Sequence, residues 1–351
     1  MGPSAGTIRE AVSTLNPGYF ALVMASGIIS IAMHTKGHTA LSWALFAVAA
    51  AAWVVLVVLT AWRILRYRDL FIADFRDPRR GFGFFTFVAA TCVLGTRCTL
   101  EGWRPVAIVA LIIGSISWFA LGYIVPWTAV LNPSIRPTLP GANGTWFVWV
   151  VASQSVAVLA AALQPGEGLG RRELALLAVF SWAVGSFLYP TAAVLVAARL
   201  MLYRLRPADL IPAYWVSMGA TAITVLAGAR IVQMADAPMV NATRGLIAGA
   251  SVMFWAFGTW LIPVLIAAGW WRHVVHKLPL RYDATLWSII FPLGMYGVAG
   301  HYLGEADHLP IVRRIGEIGS WVAFAAWLLV FVAMLRHLLL TLVRPALARA
   351  R

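Results

Sequence analysis

The sequence predicts an all-α integral membrane protein: ten transmembrane helices forming five helical hairpins in a quasi-fivefold array, with the odd-numbered helices lining a central pore. Three observations carry that expectation. Of 351 residues, 61% are hydrophobic and only 11% charged, where a soluble domain has about a quarter charged. The apolar residues gather into ten runs, most near the ~20 residues that cross a bilayer as a helix. The odd-numbered runs also align without gaps on an aromatic anchor, as a repeat of one hairpin would.

The runs lie near 17–34, 41–62, 83–98, 105–127, 144–163, 174–198, 212–235, 245–269, 285–302 and 315–338. They leave room for little else, so 1–351 reads as a single transmembrane domain with hairpins at roughly 16–65, 81–130, 143–200, 211–270 and 283–340. With the N-terminus inside, eighteen lysines and arginines fall on the cytoplasmic side and eight on the other, Arg230 being left uncounted near a span end. That bias places both termini in the cytoplasm. The N-terminus lacks the order of basic, apolar and small residues that marks a cleaved signal peptide.

The net charge of +14 forms no basic face or recognised motif, so nucleic acid is not an expected partner; juxtamembrane placement accounts for the arginines. Cys92 and Cys98, six apart in one run, point to different sides of a helix and predict neither disulfide nor metal site. His273 and His276 form an H-x-x-H pair in a basic connector with no further ligand, which reads as a surface loop. No cofactor, metal or enzymatic activity is expected, because no polar catalytic cluster is visible.

The anchors are Tyr19-Phe20, Phe84-Phe85, Trp146-Phe147, Tyr214-Trp215 and Trp287 alone. Counting the first aromatic as zero, offset +4 gives Val23, Val88, Val150, Met218 and Phe291. Offset +7 gives Ser26, Thr91, Ser153, Thr221 and Gly294. These offsets share one helical stripe, which predicts a large apolar ring followed by a ring of small and hydroxyl residues along the pore. The even spans show no matching pattern and read as surfaces suited to lipid.

In the ninth span Phe291 stands directly before Pro292. Proline in a helix interior removes a hydrogen bond and clashes with the carbonyl four residues back, here Ser288. With Gly294 nearby, the sequence predicts a weak point there.

All odd helices run outward from the cytoplasm, so their positive N-terminal ends ring the inner mouth. Asn16, Asn143 and Asp283 stand where helix caps are expected. Toward the outer ends the same helices bring His34, Arg97, Arg230 and His301, candidate anion-attracting groups. None of the thirteen acidic residues lies in the central part of a span; Asp236 and Glu317 are near ends. Cation pathways and carboxylate proton relays usually need one there, so an anion is the expected substrate.

Six segments carry a family resemblance: NPGYFALVMASGIIS (16–30), RGFGFFTFVAATCVLGTR (80–97), NGTWFVWVVASQSVAVLA (143–160), PAYWVSMGATAITVLAG (212–228), FWAFGTWLIPVLI (254–266) and LRYDATLWSIIFPLGMYGVAG (280–300). Together they resemble the tellurite-resistance/dicarboxylate transporter (TDT) family, which includes the plant slow-type anion channels. The similarity spans nearly the whole chain and looks closest to bacterial C4-dicarboxylate and tellurite-resistance members. It implies a central anion pathway, commonly a homotrimer, and a gating phenylalanine directly before proline in the ninth span, which Phe291 and Pro292 match. The bacterial branch implies a multi-pass protein of the inner (plasma) membrane, with the lipid bilayer and a small anionic substrate as partners. C4-dicarboxylates such as malate or succinate are the first expectation; chloride, nitrate, sulfite or tellurite are the alternative.

Overall fold

The structure, a computed structural model, describes residues 3–132, 136–164, 170–235 and 237–343. Asp236 and three of the arginines in the basic count, Arg344, Arg349 and Arg351, lie outside the described residues. Among the described residues the chain is helical without strands. Two short helices, α1 (Pro3–Ser13) and α4 (Arg68–Arg76), accompany ten long ones. The long ones alternate between two layers: α2 (Ala21–Thr35), α5 (Phe85–Leu100), α7 (Phe147–Leu163), α9 (Val216–Ile231) and α11 (Trp287–Ala306) inside; α3 (Thr39–Arg66), α6 (Arg104–Val125), α8 (Arg171–Leu202), α10 (Pro238–Trp270) and α12 (Pro310–Leu338) outside.

The inner five close a ring: α2 packs on α5, α5 on α7, α7 on α9, α9 on α11, and α11 back on α2. Each also packs against the outer helix that follows it in the chain. Burial follows the layers, the span 17–35 being 78% buried and the span 39–66 only 22%. Outer helices expose Val58, Ile116, Phe187, Met253 and Leu329, apolar side chains that only a lipid surround makes favourable. Among the described residues, eight helical segments are long and apolar enough to cross a membrane, and α9 and α11 are not among them. Glycine, proline, histidine and glutamate dilute α11, and serine, glycine, threonine and Arg230 dilute α9. Both nonetheless hold places in the inner ring.

Every inner helix begins with a 3₁₀ turn: Pro17–Phe20, Gly81–Phe84, Gly144–Trp146, Pro212–Trp215 and Ala284–Leu286. Three are capped as the sequence suggests. The side-chain oxygens of Asn16, Asn143 and Asp283 accept from the amides of Gly18, Thr145 and Thr285 at 2.8–2.9 Å, satisfying donors that a helix start leaves free. Pro292 does not break its helix; α11 runs through it from Trp287 to Ala306. Its ring lies against α9 at Gly219, where an added Cβ would stand 2.8 Å from Pro292 Cγ.

The outer layer carries a pattern that the sequence reading missed. Trp53 on α3 donates its indole N–H to Thr91 Oγ1 on α5 at 3.0 Å, and Trp118 on α6 donates to Ser153 Oγ on α7 at 2.8 Å. Trp182 on α8 donates to the Thr224 carbonyl on α9 at 3.1 Å, and Trp327 on α12 to Ser26 Oγ on α2 at 2.9 Å. In each case an outer helix reaches the inner helix of the next hairpin. Trp255 on α10 is the fifth member: its ring stacks on Tyr296 of α11, and its N–H has no partner among the described residues. With one tryptophan per helix among 17 in the chain, the repeat is invisible until its partners are known.

Candidate functional site

A small cavity of about 20 Å³ lies among the C-terminal halves of the inner helices, room for about one water-sized particle. All five inner helices line it: Ile28 and Ile31; Val93, Thr96 and Leu100; Ser155 and Val158; Ile223, Leu226 and Arg230; Met295, Val298 and Tyr302. On the first four helices these are offsets +9, +12 and +16 from the first aromatic. On α11 they match only if Leu286, rather than Trp287, is counted as zero. The caps agree, since Asn16, Asn143 and Asp283 each stand three residues before zero in that numbering. Trp287 therefore corresponds to the second aromatic of the other hairpins, and the sequence alignment of the fifth hairpin is one residue out of register.

One turn before the cavity, at offset +5, the same stripe holds Met24, Ala89, Val151, Gly219 and Phe291. Phe291 shares its face with Met295, Val298 and Tyr302 by the four-, seven- and eleven-residue spacing of a helix. Met24, Ala89, Val151 and Phe291 are each no more than 2% exposed, and Gly219 is buried. These side chains are packed away from water at this level. Gly219 contributes no side chain to it, and on α11 the Pro292 ring fills the space beside that glycine.

The other residues expected along the pore sit elsewhere. Ser26, Thr91 and Ser153 accept the outer-layer indole N–H groups, which turns them toward the outer helices and away from the cavity. Thr221 bonds the Met218 carbonyl at 2.7 Å and lies against Gly258 of outer helix α10. Gly294 faces Ile28 and Ile29 of α2. Val23, Val88, Val150 and Met218 are fully buried, one residue before the +5 ring and so about 100° around the helix from it. These corrections share one cause. The aromatic pairs fix the repeat spacing, but the hydroxyls that shadow them serve the interface between the layers.

The four candidate anion-attracting groups separate sharply. Arg97 is fully buried and spent on structure: Nη1 pairs with Glu101 at 2.7 Å, Nε donates to Ser30 Oγ at 2.9 Å, and Nη2 donates to Ser42 Oγ at 3.1 Å. Its guanidinium also lies over the rings of Trp43 and Phe46. It ties α2, α3 and α5 together and does not line the cavity. His34 stands 3.8 Å from the same Glu101, and His301 stands 3.5 Å from Glu305; neither lines the cavity. Arg230 does. Its guanidinium sits 4.9 Å from the centre of the Tyr302 ring, and it has no hydrogen-bond or carboxylate partner among the described residues.

That difference decides the electrostatics. A guanidinium neutralised at 2.7 Å presents little net field to an approaching ion, whereas one resting on an aromatic face keeps its full charge. The cavity hydroxyls do not compete with it: Thr96 donates to the Cys92 carbonyl at 2.9 Å and Ser155 to the Val151 carbonyl at 2.8 Å. Arg230 is the one charged residue lining the cavity. Sequence reasoning missed Thr96, Ser155, Tyr302 and the ring of Met24, Ala89, Val151 and Gly219. Aligning on the caps instead of the aromatics would have found them.

The sequence pattern of the voltage-dependent anion channel family matches residues 14–335, covering nine of the ten long helices and all but the last turn of α12. The chain belongs to this family. Its function is therefore transmembrane anion transport rather than enzymatic catalysis. An uncharacterized membrane protein of Mycobacterium tuberculosis is 68% identical over 158 residues, 45% of this chain and 80% of that protein. Two uncharacterized transporters of Methanocaldococcus jannaschii are each 24% identical, one over 331 residues and the other over 334, covering more than nine-tenths of both chains in each case.

Proposed function

We propose that this chain is a gated pathway for small inorganic anions along the axis of α2, α5, α7, α9 and α11. All ten long helices cross the membrane in this reading, and the inner helices start on the cytoplasmic side, where both termini also lie. Phe291 is the gate: it is the largest side chain of the buried ring. The observation that carries the reading is Arg230, exposed to the cavity and without a carboxylate. The cation draws anions to the outer end of the path, and displacement of Phe291 opens the inner end.

The sequence reading placed C4-dicarboxylates first. The cavity supports a smaller substrate. A dicarboxylate brings two charges separated by carbon atoms, and only one free cation lines a space about the size of one water molecule. Chloride or nitrate matches that single charge and is much smaller than a four-carbon dicarboxylate. The homotrimer implied by the family resemblance is part of the proposal, and native mass spectrometry of the detergent-solubilised protein checks it.

The deciding experiment measures anion current and malate flux in proteoliposomes made from one preparation. Currents that reverse with the chloride or nitrate gradient, with little malate uptake, are expected. Malate flux without inorganic-anion current overturns the proposal in favour of a dicarboxylate carrier.

A further inference from the structure

The face from which the inner helices start carries a second, larger cavity, about 570 Å³, in the range of small-ligand sites. It lies beside the ring, where the connector into α7 meets the segment joining α8 to α9. Arg79, Arg199, Arg204 and Arg206 line it, with Asp209 as its one acid. Asp209 pairs with Arg199 at 3.3 Å and with Arg206 at 3.2 Å. The guanidinium groups of Arg79 and Arg204 have no carboxylate partner among the described residues.

Arg199 gives the second observation. It is only 8% exposed, and its Nη1 has no hydrogen-bond partner among the described residues. A buried charged N–H without an acceptor is costly, and here it belongs to a residue lining a cavity with excess positive charge. Asp209 holds Arg199 and Arg206 in place yet cannot neutralise four guanidiniums. A carboxylate ligand has two oxygens, which one arginine fork can satisfy. Three separately placed guanidiniums suit a group with more acceptor oxygens and a charge near −2, which is a phosphate.

We propose that this cavity binds a phosphate group, carried either by a soluble phosphorylated molecule or by an anionic lipid headgroup. Arg204 and Arg79 close on the phosphate from the rim, and Arg199, whose Nη1 is sealed from solvent and whose Nη2 meets Asp209, adds its charge from behind them. The site touches two inner helices at their starts. Asn143 caps the turn before α7, Tyr214 lies in the turn before α9, and Gly144 packs directly on the Ala213–Tyr214 backbone. Occupancy therefore braces α7 against α9 on the same side of the ring as Phe291.

The test is calorimetric titration of the full-length protein in uncharged detergent at fixed ionic strength. The probes are inorganic pyrophosphate and a short-chain phosphatidylglycerol, with short-chain phosphatidylcholine as the uncharged comparison. Saturable binding of pyrophosphate identifies the soluble source; saturable binding of phosphatidylglycerol alone identifies the headgroup. Arg204→Gln and Arg79→Gln, both at exposed positions, should each weaken binding about tenfold, the usual size of one charge-assisted contact. Arg199→Gln should also weaken it, by loss of charge behind the rim, with the thermal melt showing that the variant is folded. Binding of neither probe, or binding unchanged in the Arg79→Gln/Arg204→Gln double variant, overturns the proposal. No transport is measured, so the outcome is independent of which anion crosses the membrane.

Discussion

Trp327 Nε1 donates to Ser26 Oγ at 2.9 Å across 301 positions of chain, joining the last long helix to the first. Among the described residues this contact is one of four such indole bonds between neighbouring hairpins, and it binds α12 to an inner helix other than its own hairpin partner. A buried hydrogen bond of this kind contributes about 1 kcal/mol net. A double-mutant cycle of Trp327→Phe and Ser26→Ala, read by thermal melting in detergent, should show a coupling of about that size. Purely additive losses would mean that the bond contributes nothing.

Phe291→Ala should raise conductance about tenfold or more, because lowering a barrier by about 1.4 kcal/mol is enough for that change. The variant should also melt earlier, since truncating a buried phenylalanine typically costs about 3–5 kcal/mol. Single-channel or macroscopic current normalised to protein in the membrane separates the two effects. Unchanged current per molecule would exclude a gate at this position.

Arg230 and Arg97 should respond differently to the same substitution. Arg230→Gln should weaken apparent anion affinity about tenfold while leaving the melt nearly unchanged, since its guanidinium only rests on Tyr302. Arg97→Gln should act on folding. It strips Glu101 of a 2.7 Å partner and two serines of their donors, and breaking a buried pair costs about 3–5 kcal/mol. Currents at graded anion concentrations, together with thermal melts, test both.

Gly219 of α9 packs directly against Pro292 of α11. Gly219→Ala places a methyl 2.8 Å from Pro292 Cγ, and such overpacking typically costs about 1–3 kcal/mol. Because α11 carries Phe291, the added methyl should also shift the open probability. Current recordings that match the parent in both amplitude and open fraction would uncouple this contact from the gate.

Asp209 predicts an acid limb in stability. Burial alone would raise its carboxyl, but the amide and guanidinium of Arg206 and the guanidinium of Arg199 outweigh that and hold it below the ordinary value. A carboxyl lowered in the folded state stabilises fully above its unfolded value, near pH 4, and loses that contribution as pH falls through the folded value. Asp209→Asn should therefore flatten the melting temperature against pH below about 4, measured beside the parent.

Much of the fold is legible in the chain. Apolar runs of bilayer length, the caps Asn16, Asn143 and Asp283, and the recurring aromatic anchors define the helices and their hairpin repeat by local rules. The site was less accessible. Trp287 is aromatic, like the first anchor of every other hairpin, but it stands in the second anchor's place. That shift of one residue turns the presumed lining through about 100°. The serines and threonines read as a polar pore because a hydroxyl carries the same signal whether it meets an ion or an indole. Among the four candidate cations, one local signal was available: Glu101 stands four residues after Arg97 on the same helix face, whereas Met234 stands there for Arg230.

By itself the sequence determined the membrane class, the helical hairpins, the basic connectors and the Phe-Pro pair in the ninth span. These depend on hydrophobicity and capping, which act within a few residues. Only the tertiary structure decided which stripe faces the axis, which hydroxyls are consumed by tryptophans 35 to 301 positions away, and which arginine lines the cavity. Those outcomes depend on partners brought together by ring closure, and the energy of a hydroxyl or a guanidinium is set by what stands within 3 Å of it rather than by its place in the chain.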